Sequence, residues 1–132
     1  MGRIMALTPV KSMIQTARRS IQNLTPQEVA KRSKDEDVVL VDLREAAELQ
    51  EQGTITGAVH IPRGMLEFCA DPSTPYHNEA LGPDRSVILF CASGGRSALA
   101  AASLREMGYG DVAHLDGGFK AWQAEGQPVR NQ

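Results

Sequence analysis

Two apolar runs, Val38-Val39-Leu40-Val41 and Val87-Ile88-Leu89-Phe90, constrain the fold more than any other feature of the chain. Neither alternates with polar residues, as a strand with one wet face would. Strands of this kind are covered on both faces, which is the situation of a parallel sheet between two layers of helices. The segments around them have helical or turn character. Glu45 to Gln52 reads as a helix after the first run, and Ala98 to Leu104 reads as a strong helix after the second, ending at Met107-Gly108. Ala58-Val59-His60-Ile61, stopped by Pro62, and Val112-Ala113-His114-Leu115 are short strand candidates. Asp116-Gly117-Gly118 turns into a closing helix from Phe119 to about Glu125. This alternation predicts an α/β fold: a central, mostly parallel sheet with helices on both faces, whose sites form beyond the C-terminal ends of the strands.

The first part of the chain adds to that pattern. Val10, Met13, Ile14, Ala17 and Ile21 recur at helical spacing, so residues 1–19 are expected to form an N-terminal extension built on an amphipathic helix, followed by one domain over residues 20–132. Thr25-Pro26-Gln27-Glu28 has the form of a capping box at the start of a second helix. Residues 71–83 carry Pro72, Pro75, Gly82 and Pro83 and read as a long loop, which suggests a flap or binding segment.

Composition narrows the function. A length of 132 residues suits one domain, and a net charge of −2 offers a polyanion no overall attraction, so nucleic acid is not an expected partner. Two cysteines, Cys69 and Cys91, cannot form a disulfide framework, and with His60, His77 and His114 widely separated no metal site is expected. Thr8-Pro9 breaks the short apolar run near Met1 before a signal-peptide core could form, and no stretch approaches membrane-spanning length. These features together suggest a soluble cytoplasmic protein with free thiols.

The second apolar run leads directly into Cys91-Ala92-Ser93-Gly94-Gly95-Arg96-Ser97. A helix N-terminus presents unpaired N–H groups and a partial positive charge, and both favour thiolate over thiol. Arg96 adds a full charge to the same turn, and Gly94 and Gly95 let the backbone curl into an anion-binding nest. Taken alone, Cys91 could be a small buried hydrophobe, the glycines an ordinary turn and Arg96 a solvated helix-start residue. Together they combine nucleophile, flexible backbone and cation. By the same weighing, Cys69 reads as a bystander thiol, with a relay role as the alternative, and His60 as a structural histidine rather than a base.

In this loop and three further segments the chain resembles the rhodanese family of sulfurtransferases. The segments are Val41-Asp42-Leu43-Arg44, Gly53 to Pro62, Cys91 to Ser97, and Leu115-Asp116-Gly117-Gly118-Phe119-Lys120-Ala121-Trp122, in the family's order within roughly Ile21 to Pro128. Thr54 and Thr56 stand where the family often has His and Pro, so the backbone before Gly57 is expected to turn differently. The resemblance implies a rhodanese-like fold and a Cys91 nucleophile that carries sulfur as a persulfide. It further implies that Arg96 stabilises anions, that Ala92, Ser93, Gly94, Gly95 and Ser97 form the substrate-binding loop, and that Asp42 and Arg44 hold neighbouring loops. Asp116-Gly117-Gly118 and Trp122 would be structural, as a tight turn and a core anchor.

No cofactor beyond the covalent persulfide is implied. The partners would be thiosulfate, cyanide or a thiol, a protein persulfide donor, or a thioredoxin-like acceptor, with a homodimer left open. From Cys91 to Arg96 the loop holds six residues, one fewer than in phosphatases with a related cradle, and the smaller ring suits sulfur. The competing readings are a small cysteine-dependent phosphatase, an arsenate reductase-like enzyme, and a rhodanese-type binding module without chemistry.

Overall fold

The computed structural model describes residues 6–131, so the start of the N-terminal extension, including the apolar run after Met1, lies outside the described residues. The chain forms α1 (Val10–Arg19), β1 (Gln22–Leu24), α2 (Pro26–Arg32), β2 (Val38–Asp42), α3 (Ala46–Gln52), β3 (Val59–His60), a 3-10 turn (Arg63–Met65), α4 (Leu66–Ala70), β4 (Ser86–Phe90), α5 (Gly95–Met107), β5 (Asp111–Leu115) and α6 (Gly118–Ala124). The five strands make one sheet in the order β1-β5-β4-β2-β3, and every pairing is parallel.

The unalternated runs become the inner strands. Val39↔Val87 and Val41↔Leu89 point to one face and Leu40↔Ile88 to the other. Val39, Val41, Val87 and Leu89 pack with Leu66 of α4 and Leu104 of α5. Leu40, Ile88 and Phe90 pack with Val29 of α2 and with Phe119 and Trp122 of α6. Each face therefore buries large apolar side chains. Truncating one of them, such as Leu89, would cost about 2–5 kcal/mol through lost transfer energy and the cavity left behind.

Local chemistry fixes the helix ends. The capping box at α2 is complete: Thr25 Oγ1 accepts from Glu28 N at 3.1 Å, and Glu28 Oε1 accepts from Thr25 N at 2.9 Å. The amphipathic helix stops at Arg19, two residues short of Ile21, because the chain turns at Ser20 and enters β1 alongside β5. The residues from Pro72 to Pro83 do not form a flap over the C-terminal strand ends. They return the chain to the opposite end of the sheet, where Leu81 is buried in the core and Arg85 donates to Glu36 O just before β2. No helix among the described residues is long and apolar enough to cross a membrane.

Candidate active site

Cys91 follows the last residue of β4, and its side chain is 1% exposed. Its Sγ accepts hydrogen bonds from Gly94 N at 3.2 Å and Ser97 N at 3.4 Å, and Ser97 Oγ lies 3.5 Å away. Gly94 makes this wrap possible with φ 107°, a conformation that side-chain-bearing residues rarely adopt. Gly95 is different from the expectation of a second curled glycine. It is already helical, and its bare Cα instead leaves room for Ile14 of α1, whose Cδ1 would sit 3.3 Å from an added Cβ.

The loop is held open from behind. Phe119 N donates to Cys91 O at 2.8 Å and Lys120 N to Ala92 O at 3.0 Å, so two amides from the first turn of α6 bind the loop's first two carbonyls. With those carbonyls held by α6, the amides of Gly94 and Ser97 are left for the sulfur, which makes a cradle for negative charge. Gly118 must be glycine for this contact: a Cβ there would lie 2.6 Å from Ala92 O and 2.7 Å from Cys91 O. The Asp116-Gly117-Gly118 turn is thus structural in a specific way, since it sets the loop's backbone. Trp122, 3% exposed, donates through Nε1 to Pro128 O at 2.8 Å and anchors the same helix.

Arg96 lies at the rim. Its two terminal nitrogens bond Glu48 Oε1 and Oε2, both at 2.9 Å, rather than the sulfur. The pair holds the Glu48 carboxyl down to about 2, chiefly through the Arg96 hydrogen bonds, and keeps Arg96 protonated, with a smaller contribution from the nearby Cys91. Ala92 is half-buried and Ser93 is exposed at the loop tip.

Asp42 and Arg44 are both 0% exposed and form the frame beneath α3. Arg44 Nε donates to Asp42 Oδ1 at 3.0 Å and an Arg44 terminal nitrogen to Asp42 Oδ2 at 2.7 Å; the same nitrogen donates to Gly53 O at 2.7 Å. Thr54 Oγ1 completes the carboxylate at 2.7 Å, which is the local consequence of Thr at this position. The guanidinium carbon stacks 4.1 Å from the Phe119 ring centroid. By closing the C-terminal end of α3, this pair positions the helix that carries Glu48. His60 Nε2 donates to Arg44 O at 2.7 Å, consistent with a structural histidine. Cys69 sits on α4, packed against the core, and both thiols are free.

Four residues around the site have no signal in the sequence. Glu48 meets Arg96 only in three dimensions. His114 of β5 is fully buried, accepts from Ser97 Oγ at Nδ1 (2.8 Å) and donates from Nε2 to Asn23 Oδ1 (2.8 Å); burial pushes it down to about 4. Arg18 of α1 grips Asp116 through two nitrogens at 2.6 and 3.2 Å. The N-terminal helix is therefore tied to the turn that braces the Cys91 loop.

A sulfurtransferase of Allochromatium vinosum is 39% identical over 71% of this chain and 79% of its own length. A structure from Rhodopseudomonas palustris, named as a protein of unknown function and possible tyrosine phosphatase, superposes with a TM-score of 0.88 at 39% identity over 98% of this chain and 100% of that one. The polysulfide-sulfur transferase homodimer of Wolinella succinogenes has a TM-score of 0.75 at 29% identity, covering 92% of this chain and 87% of its own. Residues 25–125 match the rhodanese-like domain family. The motifs, the fully parallel sheet, the cradled thiol at the end of β4 and these relatives agree, and the chain belongs to the rhodanese-like family.

Proposed function

We propose that this protein is a sulfurtransferase that carries sulfane sulfur as a Cys91 persulfide, taking it from thiosulfate or a persulfide donor and passing it to a thiophilic acceptor. The observation that carries this reading is the cradle itself, in which Gly94 N and Ser97 N converge on Sγ inside a six-residue turn. In the first half-reaction the Cys91 thiolate attacks the outer sulfur of thiosulfate. A Sγ–S bond forms, the S–S bond of the donor breaks, and its electron pair leaves with sulfite. In the second, an acceptor thiolate or cyanide attacks the outer sulfur and Cys91 leaves as thiolate. The reaction as written draws on no cofactor. Sulfite departs already anionic, so no acid is needed.

Phosphatase chemistry needs such an acid for an alkoxide or phenoxide leaving group. The carboxylates brought near the loop suit that role badly: Arg96 holds Glu48 ionised and Arg18 holds Asp116 below its ordinary range. The phosphatase reading keeps a place because of the name given to the Rhodopseudomonas palustris relative. Parallel assays separate the two. Thiocyanate should form from cyanide with thiosulfate or polysulfide as donor, and aryl phosphate hydrolysis should be negligible. Robust hydrolysis that disappears in Cys91→Ser, without thiocyanate formation, would overturn the proposal. Neither turnover would leave a binding module.

A further inference from the structure

Both ring nitrogens of His114 are engaged in hydrogen bonds, and the partners determine which one carries the proton. Asn23 Nδ2 donates to Arg18 O at 2.9 Å and Ile21 O at 3.4 Å, which turns Asn23 Oδ1 towards the ring. Oδ1 can only accept, so His114 Nε2 bears hydrogen and Nδ1 is bare. The bare Nδ1 must in turn accept from Ser97 Oγ at 2.8 Å, a shorter contact than the 3.2 Å from Oγ to Gly94 O. With its proton committed to the ring, Ser97 presents a lone pair to Cys91 Sγ at 3.5 Å and can accept the thiol proton. Sulfur, hydroxyl, imidazole and amide thus form one directed chain from the reacting atom, through the buried ring, to the exposed Asn23 on the edge strand β1.

We propose that this chain is a proton relay in which His114, acting through Ser97, stores the Cys91 proton while sulfur is bound. To generate the attacking thiolate, the Cys91 thiol proton passes to Ser97 Oγ and the Ser97 proton passes to His114 Nδ1. The ring becomes an imidazolium with both nitrogens protonated. Ser97 then donates towards sulfur, and the anionic persulfide sits two hydrogen bonds from a buried cation. When an acceptor thiolate removes the outer sulfur, Sγ leaves as thiolate and recovers its proton by the reverse path. No proton is gained or lost over the cycle.

Charges around the ring suit the storage role. Burial keeps His114 neutral in the resting protein near neutral pH, which is the state able to accept. Asp116, on the turn after β5, favours the imidazolium and Arg18, on α1, opposes it, while Arg18 and Asp116 largely neutralise each other as an ion pair. The persulfide anion is then the added negative charge that tips the balance. Asn23 Oδ1 accepts from Nε2 in both states and steadies the ring. Because Arg18 O holds Asn23, the N-terminal helix is part of the positioning apparatus.

The relay rests on the sulfurtransferase reading, and one experiment tests both. Protein labelled with ¹⁵N-histidine is examined reduced and after incubation with thiosulfate or polysulfide, with intact mass recorded on the same samples. The exposed His60 and half-buried His77 are assigned by His60→Gln and His77→Gln, which leaves His114. The reduced protein should show Nδ1 of His114 unprotonated, and the sulfur-loaded protein should show both nitrogens protonated. A loaded protein with Nδ1 still bare would overturn the relay while leaving sulfur transfer intact. Absence of any added sulfur would overturn the sulfurtransferase reading and the relay with it. As a second arm, Ser97→Ala and His114→Asn should each slow loading on the order of 10²-fold, the lower end for a positioned base, and the double variant should be no slower than either single one. Additive losses would mean two independent roles and would contradict a relay. If either variant fails to fold, the labelled wild-type comparison still decides.

Discussion

Arg44 and Arg96 each follow an inner strand of the sheet and each binds a carboxylate through two nitrogens, yet their surroundings differ sharply. The Arg44 side chain is 0% exposed, bonded to Asp42 and Gly53 O and stacked on Phe119. The Arg96 side chain is 38% exposed and, among the described residues, hydrogen-bonds to Glu48 alone. A buried pair cannot be opened without leaving a charge in a low-dielectric interior, whereas a pair at the rim exchanges its partner for water at little cost. The difference teaches that two arginines implied by one resemblance have separate tasks. Arg44 builds the frame, and under the proposed function Arg96 is the cation that leaves Glu48 to meet an arriving anion.

The comparison can be broken most directly at its buried side. Arg44→Ala should lose roughly 3–5 kcal/mol, because it strands Asp42 in the core. Denaturant unfolding measures this, and a loss below about 1 kcal/mol, the value of a surface pair, would remove the contrast. Arg96→Ala should do the reverse. Its stability should change by less than about 1 kcal/mol, while the rate of sulfur loading falls on the order of 10²-fold, as when one stabilising donor is removed from an anion site. Arg96→Lys should restore little, since a point charge does not reproduce the planar fork. An Arg96→Ala protein that loads at the wild-type rate at both low and moderate salt would show that the guanidinium takes no part.

Loop length sharpens the account at a smaller scale. One Gly inserted between Gly94 and Gly95 would pull Ser97 N out of register with Sγ, so sulfur transfer should fall. Aryl phosphate hydrolysis should rise only slightly, and first for leaving groups of low pKa, since the insertion brings no acid. A large gain would mean that ring size alone selects the chemistry. The smallest effect is expected at Glu48. Its carboxyl is lowered from 4.5 to about 2 in the folded protein, so its contribution to stability is present above pH 4.5 and is lost as pH falls towards 2. Glu48→Gln should flatten that limb of the stability profile and change neutral-pH stability by only a few tenths of a kcal/mol, as expected of a part-exposed pair. An unchanged acid limb would show that Arg96 does not hold this carboxyl.

What could be read from the sequence was local. The apolar runs identify β2 and β4 because burial on both faces leaves no polar positions, and Thr25 to Glu28 identifies a helix start because its capping bonds span neighbouring residues. The turn from Cys91 to Ser97 was legible for the same reason. What could not be read depends on contacts between distant segments. Gln22-Asn23-Leu24 has no strand signal and becomes β1 by pairing with β5. Glu48 and Arg96 belong to different helices. His114 looks like one more residue of a short strand until Ser97 and Asn23 arrive from either side. Of the two roles suggested for the proline-rich segment, flap or binding segment, the flap fails because composition specifies a loop but not the end of the sheet to which it returns.

The central claim is that Cys91 itself carries the sulfur, and intact mass tests it most directly. Wild-type protein and the Cys91→Ser and Cys69→Ser variants are reduced, incubated with thiosulfate or polysulfide, freed of donor, weighed, and weighed again after cyanide. The account predicts a gain of about 32 Da, one sulfur, in the wild type and in Cys69→Ser, removed by cyanide with release of thiocyanate, and no gain in Cys91→Ser. A Cys91→Ser protein that still gains one cyanide-labile sulfur, or a Cys69→Ser protein that gains none, would contradict it.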